Sequence, residues 1–331
     1  KDLYNEHSEV RDMTQAQKNT IFRQLDIRIR GTSVPNPCVS FAYFGFEEGL
    51  MKVIRKQRFE RPTGIQAQAI PCALRGRDVV GIAKTGSGKT VAYVWPMIVH
   101  IMDQHHIQKG DGPISMVIAP TRELAKQIYD ETQLYSKAFR LRVCPVYGGM
   151  NMYQQVQTLK SGVEIMIGTP GRIMDILRKG ASNCRRITFL VIDEVDRLFD
   201  MGFEAQLRAI VSQTRPDRQT LIFSATFRYR VESLAKSILD NAIRINIGRV
   251  GAANEDIRQV VEVMPSEDHK WTWLIAKVWS FLEAGPVLVF ASTIRACEIL
   301  GQKLKTAAVS ADVIHGDHAQ ASRESVLIKF R

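Results

Sequence analysis

Gly81-Ile82-Ala83-Lys84-Thr85-Gly86-Ser87-Gly88-Lys89-Thr90 is the stretch from which the rest of the chain is read. An apolar run, Val79 to Ile82, precedes it, and an apolar run with helical character begins at Val91. A strand that gives way to a glycine-punctuated loop ending in Lys-Thr, and then to a helix, is the layout of a phosphate-binding loop. Gly86 and Gly88 let the backbone curl so that successive N–H groups face one anion, and the following helix adds the positive end of its dipole. In such a loop Lys89 meets the β and γ phosphates and Thr90 holds Mg²⁺. The strict pattern wants Gly where Ala83 stands, so the match is one short. A glycine-rich β-to-α turn without a ligand is the plain alternative.

A length of 331 residues suggests two domains, and 45% hydrophobic residues are enough for real cores. The formal charge of +11 suits a polyanionic partner, with a solvated basic surface as the alternative. Cys38, Cys72, Cys144, Cys184 and Cys297 are scattered, odd in number and never spaced Cys-x-x-Cys. Neither a disulfide framework nor a zinc site is therefore indicated, and a reducing compartment is expected. No apolar run approaches a membrane span, and the N-terminus has no signal-peptide core. The chain starts at Lys1 and stops at Arg331 inside a helical pattern, so it is expected to be a piece of something longer.

In chain order, residues 1–39 read as an N-terminal flank with an amphipathic helix from Thr14 to Leu25, capped by Thr14 and ended by the prolines of Gly31 to Pro37. From Phe41 a short helix leads to Phe59-Glu60-Arg61-Pro62-Thr63-Gly64-Ile65-Gln66, an ordinary helix start running on to Leu74. After the loop, β-rich runs recur at Met116–Ala119, Val143–Tyr147, Glu164–Gly168, Phe189–Ile192, Thr220–Phe223 and Ile243–Ile247, with helical segments between. That alternation predicts an α/β fold, a parallel sheet wrapped by helices with ligands at the carboxyl ends of the strands. A Gly-, Ala- and Asn-rich linker is expected over 248–256. Beyond it, strands at Val260–Val263, Val287–Phe290 and Asp312–His315 alternate with helices at Lys270–Leu282, Ile294–Leu304 and from Ala319, as a second α/β unit cut short after three strands.

Asp193-Glu194 follows the strand Phe189–Ile192. Alone, two acids at a strand end are more often a solvated turn or a helix cap. About a hundred residues after a phosphate loop, the chemical reading gains. One carboxylate organises the Mg²⁺ hydration shell, and the second orients and deprotonates the attacking water.

Phe59 to Gln66, Ala83 to Thr90, Pro120 to Leu124, Thr169 to Arg172, Asp193 to Asp196 and Ser224 to Thr226 stand in the order of the motifs of the DEAD-box RNA helicases, which the chain resembles from about residue 40 to its end. Gly81 to Lys84 and Phe199 to Glu204 are most similar to the spliceosome-associated subgroup. The resemblance implies two RecA-like parallel-sheet domains in tandem, the first over 40–247 and a partial second over 257–331. It implies that Phe59 stacks on adenine, Thr63 and Gln66 read its edge, and Phe41 supports that pocket. Lys84, Thr85, Gly86, Ser87, Gly88, Lys89 and Thr90 would hold ATP, with Mg²⁺ on Thr90 and, through water, on Asp193. Catalysis would fall to Lys89, Asp193 and Glu194, the last as base. Asp196 would couple to Ser224 and Thr226. RNA would be met through its backbone, without base readout, by Thr121, Arg122, Gly149, Thr169 and Arg172, and in the second unit by Thr293, with Arg323 in support.

Two departures stand out. Val195 replaces the alanine of the family name, and its bulk is expected to shift the packing beneath Asp193 and Glu194. No segment matching the arginine fingers occurs before Arg331, so this chain is expected to bind ATP but turn over little. The resemblance implies an ATP-dependent RNA helicase that unwinds or remodels RNA, with pre-mRNA splicing and spliceosomal or other ribonucleoprotein partners as its setting. It would be a monomer, without membrane association, in the nucleus or else the cytoplasm. The alternative is an ATP-gated RNA clamp for ribonucleoprotein assembly with little unwinding.

Overall fold

Val79-Val80-Gly81-Ile82, Phe189-Leu190-Val191-Ile192 and their counterparts are buried at every position, as strands covered on both faces must be. In the computed structural model, which describes residues 1–108, 110–248 and 257–330, they belong to one sheet. Its strands are β1 (Ile27–Arg30), β2 (Val79–Ile82), β3 (Ser115–Ile118), β4 (Val143–Val146), β5 (Ile165–Gly168), β6 (Phe189–Ile192), β7 (Gln219–Ser224) and β8 (Ile243–Ile247). The order across the sheet is β1-β8-β2-β7-β6-β3-β5-β4. Every pair from β8 to β4 is parallel, so seven strands present their carboxyl ends along one edge.

Side chains alternate between two cores. Val79, Val117, Ile167, Val191 and Leu221 face one side, with Trp95 and Tyr135. Val80, Met116, Met166, Leu190 and Ile222 face the other, with Leu198 and Leu207. Gly81 has a packing reason: a Cβ there would lie 2.5 Å from the Phe223 ring. Glycine lets β2 and β7 pair at Gly81↔Phe223 with the ring laid across the strand.

The expected flank packs into this unit. Its helix runs Gln15–Gln24 with a capping box between Thr14 and Gln17. Tyr4, Val10, Ile27 and Cys38 enter the first core. β1, not foreseen, pairs antiparallel with β8 from Ile27↔Ile247 to Arg30↔Arg244.

The chain divides into two compact units, Lys1–Asn254 and Glu255–Arg331. Of the expected linker, Gly248 is described and 249–256 lie outside the described residues. The second unit has the expected helices, at Glu267–Ala284, Ile294–Thr306 and Gln320–Phe330. The strands expected at Val260–Val263, Val287–Phe290 and Asp312–His315 do not form among the described residues. An apolar run becomes a strand only when its backbone groups meet a neighbour's, and here Val261, Val263 and Phe290 stand 87%, 93% and 87% exposed. Val278, Leu304 and Val309 form the small core of this unit.

Candidate active site

The loop after β2 behaves as its glycines require. Gly86 and Gly88 have φ of 78° and 85°, open to glycine at little strain, and Gly88 caps the helix Lys89–Met102. Lys84, Thr85 and Gly86 face solvent, whereas Lys89 is buried and its Nζ donates to the Ala83 carbonyl at 2.9 Å. The ammonium thus lies across the mouth of the loop, above the helix N-terminus. Ser87 Oγ is shielded and has no partner.

Two side chains at the start of the preceding helix, Gly64–Leu74, hold this loop in place: Thr63 at its N-cap and Gln66 in its first turn. Thr63 Oγ1 donates to the Ser87 carbonyl at 2.8 Å, and Gln66 Nε2 donates to the Gly88 carbonyl at 3.2 Å. Gln66 Oε1 in turn accepts the Thr63 N–H at 3.0 Å, closing a capping box. A Cβ on Gly88 would meet Gln66 Nε2 at 2.2 Å. Beside them Phe59, 36% exposed, rests on Phe41 and Trp95, with ring centroids 5.9 and 5.5 Å away. One face of a fixed aromatic ring is therefore available for stacking.

Asp193 and Glu194 follow β6, two strands from β2. Asp193 is buried; Oδ2 accepts from the Tyr93 hydroxyl at 3.0 Å and Oδ1 from the Glu194 N–H at 2.9 Å. Burial pushes its carboxyl above the ordinary range, opposed by the Lys89 charge and by these two hydrogen bonds. Glu194, half-buried, is raised by burial and then by the Asp193 charge. Its backbone is left-handed, φ 47° and ψ 50°, a strained state for glutamate that turns the chain sharply at the strand end. Val195 is fully buried in the second core.

Asp196 Oδ2 accepts from both the N–H and the hydroxyl of Thr226, at 3.0 and 2.9 Å. The coupling expected of Ser224 differs: its hydroxyl is buried without a partner, and its carbonyl accepts the Ala83 N–H at 3.1 Å. β7 is thus tied to the phosphate loop by backbone and to Asp196 by Thr226.

Farther along the same edge, after β3, β4 and β5, lie the residues expected to grip a nucleic-acid backbone. Thr121 caps the helix Arg122–Ser136, its Oγ1 accepting the Leu124 N–H. The Arg122 guanidinium lies against Gly148, where a Cβ would be 2.8 Å from Nη2. Gly149 has φ 89°, and Thr169 caps the helix Pro170–Arg178. Arg172 Nη1 donates to the Met150 carbonyl at 3.4 Å and to Gln155 Oε1 at 3.3 Å. Thr293 belongs to the second unit and caps the helix Ile294–Thr306, its Oγ1 accepting the Ala296 N–H at 3.1 Å.

Three residues escaped sequence reasoning. Tyr93 sits one helical turn after Lys89, a spacing that places both on one face; that spacing is the signal that could have found it. Trp95 supports Phe59 and Phe41. Gln155, buried, donates to the Tyr147 carbonyl at 3.0 Å while accepting from Arg172, and nothing in its local sequence announces this.

The donor set fits a magnesium nucleotide. It combines curled loop amides, a buried lysine, a threonine hydroxyl at a helix start, an unpartnered serine hydroxyl and a shielded carboxylate. The DEAD/DEAH box helicase family model matches residues 63–234, just over half of the chain. The ATP-dependent RNA helicase DDX42 of Gallus gallus is 47% identical over 331 residues, covering 100% of this chain and 35% of that protein. The DEAD-box ATP-dependent RNA helicase 24 of Oryza sativa subsp. japonica is 50% identical, with 100% and 43% covered. The chain therefore spans well under half the length of these curated relatives. Among solved structures, the yeast DEAD-box splicing factor Prp28 superposes with a TM-score of 0.71 at 28% identity, covering 97% of this chain and 75% of that one. The RNA helicase Prp28 of Chaetomium thermophilum bound to ADP gives 0.68 at 31% identity, covering 98% and 78%. With its motifs gathered along one sheet edge and a family model over more than half its length, the chain belongs to the DEAD/DEAH box helicase family.

Proposed function

We propose that this chain carries the nucleotide-binding and RNA-gripping machinery of an ATP-dependent RNA helicase that remodels RNA–protein assemblies during pre-mRNA splicing. The observation that carries the reading is the single sheet edge on which Lys89, Asp193 and Glu194 meet beside the aromatic platform of Phe59, with Arg122 and Arg172 farther along it. The likeness to the yeast DEAD-box splicing factor Prp28 supports the splicing setting, from which a nuclear place of action is inferred.

In this reading Phe59 stacks on the adenine and Phe41 and Trp95 keep its ring fixed. Thr63 and Gln66 present the base edge with polar atoms already anchored to the phosphate loop. Lys89 leaves the Ala83 carbonyl for the terminal phosphates. Mg²⁺, held by Thr90 and through water by Asp193, would neutralise phosphate charge as it develops. Glu194 takes the proton of the attacking water; its raised carboxyl pKa makes it a better base than an exposed glutamate. The Asp196–Thr226 bond carries strain between the hydrolysis site and β7.

The test is ATP hydrolysis with and without single-stranded RNA, beside displacement of a short RNA duplex, on the longest natural form of the protein. RNA-stimulated hydrolysis and ATP-dependent displacement, both lost in Glu194→Gln, are expected. ATP-dependent RNA retention without displacement would replace remodelling by a clamp. Hydrolysis indifferent to RNA would remove the nucleic-acid half of the proposal.

A further inference from the structure

Outside the nucleotide site, among the described residues one group of three potential metal ligands converges: Glu298, His315 and His318. Glu298 lies on the helix Ile294–Thr306, and the two histidines bracket a turn closed by the His318 N–H on the His315 carbonyl at 3.2 Å. That turn brings the imidazoles to a centroid separation of 3.8 Å. Both Nε2 atoms reach the same carboxylate oxygen, His315 at 2.6 Å and His318 at 3.4 Å. The three donor atoms all lie within 4.8 Å of one another.

We propose that Glu298, His315 and His318 form a binding site for a transition-metal ion of the Zn²⁺ class. Two imidazoles and one carboxylate are a common zinc donor set, leaving a fourth position for water. Ligand bonds of about 2.0–2.2 Å at tetrahedral angles put donors about 3.4 Å apart. The His318–Glu298 separation already has that value, and the shorter His315 contact opens when an ion replaces the bridging proton. Each Nδ1 is shielded without a partner, so the rings are held only from their Nε2 sides. The site would tie the helix Ile294–Thr306 to the turn before Gln320–Phe330, in a unit whose own core is small. Metal binding of this kind adds directly to folding free energy.

The experiment is a Zn²⁺ titration against a chromophoric chelator, with Co²⁺ absorption and metal-dependent melting, on the parent chain and on His318→Asn and Glu298→Gln. His318→Asn keeps a polar head of similar reach but removes the imidazole. One equivalent is expected in the parent, weakened at least about tenfold in each variant. A rise in melting temperature with Zn²⁺ should appear in the parent and vanish in His318→Asn. Excess Mg²⁺ should not compete, because imidazole donors do not suit it. Binding of equal strength in parent and variants overturns the assignment. So does a Co²⁺ spectrum with intense thiolate charge transfer, which would point to Cys297 or another cysteine. Failure of the parent to retain Zn²⁺ against the chelator overturns it outright.

Discussion

The proposed function gives Lys89 and Glu194 different tasks, and replacing each should separate binding from chemistry. Lys89→Ala removes the one buried ammonium at the loop mouth and should lower nucleotide affinity by more than tenfold, on the scale of about 1.4 kcal/mol per decade. Glu194→Gln should leave affinity close to parental, measured with a fluorescent ATP analogue, while abolishing hydrolysis. Equal loss of affinity in both would contradict the division of roles. Asp193 invites a different measurement. Its carboxyl is raised in the folded state by burial, so the folded protein holds that proton to higher pH than the unfolded chain does. This contribution to stability is therefore full below the ordinary carboxylate range and declines as pH rises toward the folded value. Asp193→Asn should melt above the parent at pH 7.5, with the gap closing as pH falls toward 4. A gap independent of pH would show that charge burial is not its source. Lys89, Asp193 and Glu194 could be singled out because each belongs to a short run of neighbouring residues, a glycine-rich loop before a helix and two acids after an apolar strand. Tyr93 and Gln155 were not, since their meaning lies in partners distant in the chain; Tyr93 and Asp193 are 100 positions apart.

Strands rich in β-branched and other apolar residues announced themselves. β2, β6 and β8 fall where the pattern put them, and β3, β4, β5 and β7 differ at one or both ends by one residue. β1 was hidden because Ile-Arg-Ile-Arg is too charged to read as a strand until β8 is known to lie beside it. The second unit shows the converse error: Val260–Val263 has strand chemistry and no ladder to join. Propensity states what a segment tolerates, and pairing decides what it becomes. Between β2 and β7, Gly81→Ala should lower stability by about 1–3 kcal/mol, since the new methyl meets an aromatic ring held in a full core. Chemical denaturation measures it, and Gly180→Ala, with open space around its Cβ but φ of 60°, supplies the contrast between crowding and backbone strain. No loss in Gly81→Ala would mean that Phe223 can move aside.

Burial is distributed unequally between the two units. The first has two cores flanking a sheet, and the second has, among its described residues, three buried apolar side chains among helices. Amide exchange should accordingly be slowest in β2, β3, β6 and β7 and fast across 257–330, because protection follows the free energy of local opening. Comparable protection in both would mean that the second unit is held by something other than its own core. The thiols follow the same division. Burial pushes Cys38 and Cys184 up to about 11 and Cys72 and Cys144 to about 12, whereas Cys297 is partly open. Alkylation of the native protein at neutral pH should mark Cys297 first.

The edge pair β1–β8 has a mechanical consequence. Because the two strands run in opposite directions, the residue at which β1 begins, Ile27, sits beside the residue at which β8 ends, Ile247. A pull applied between residues 26 and 248 loads the ladder at that end alone. Its hydrogen bonds then part in succession toward Arg30 and Arg244, as a zip opens, instead of resisting together as they would in shear. Tension along the chain at this point therefore peels away one strand at low force and leaves the seven parallel strands, with the phosphate loop among them, intact.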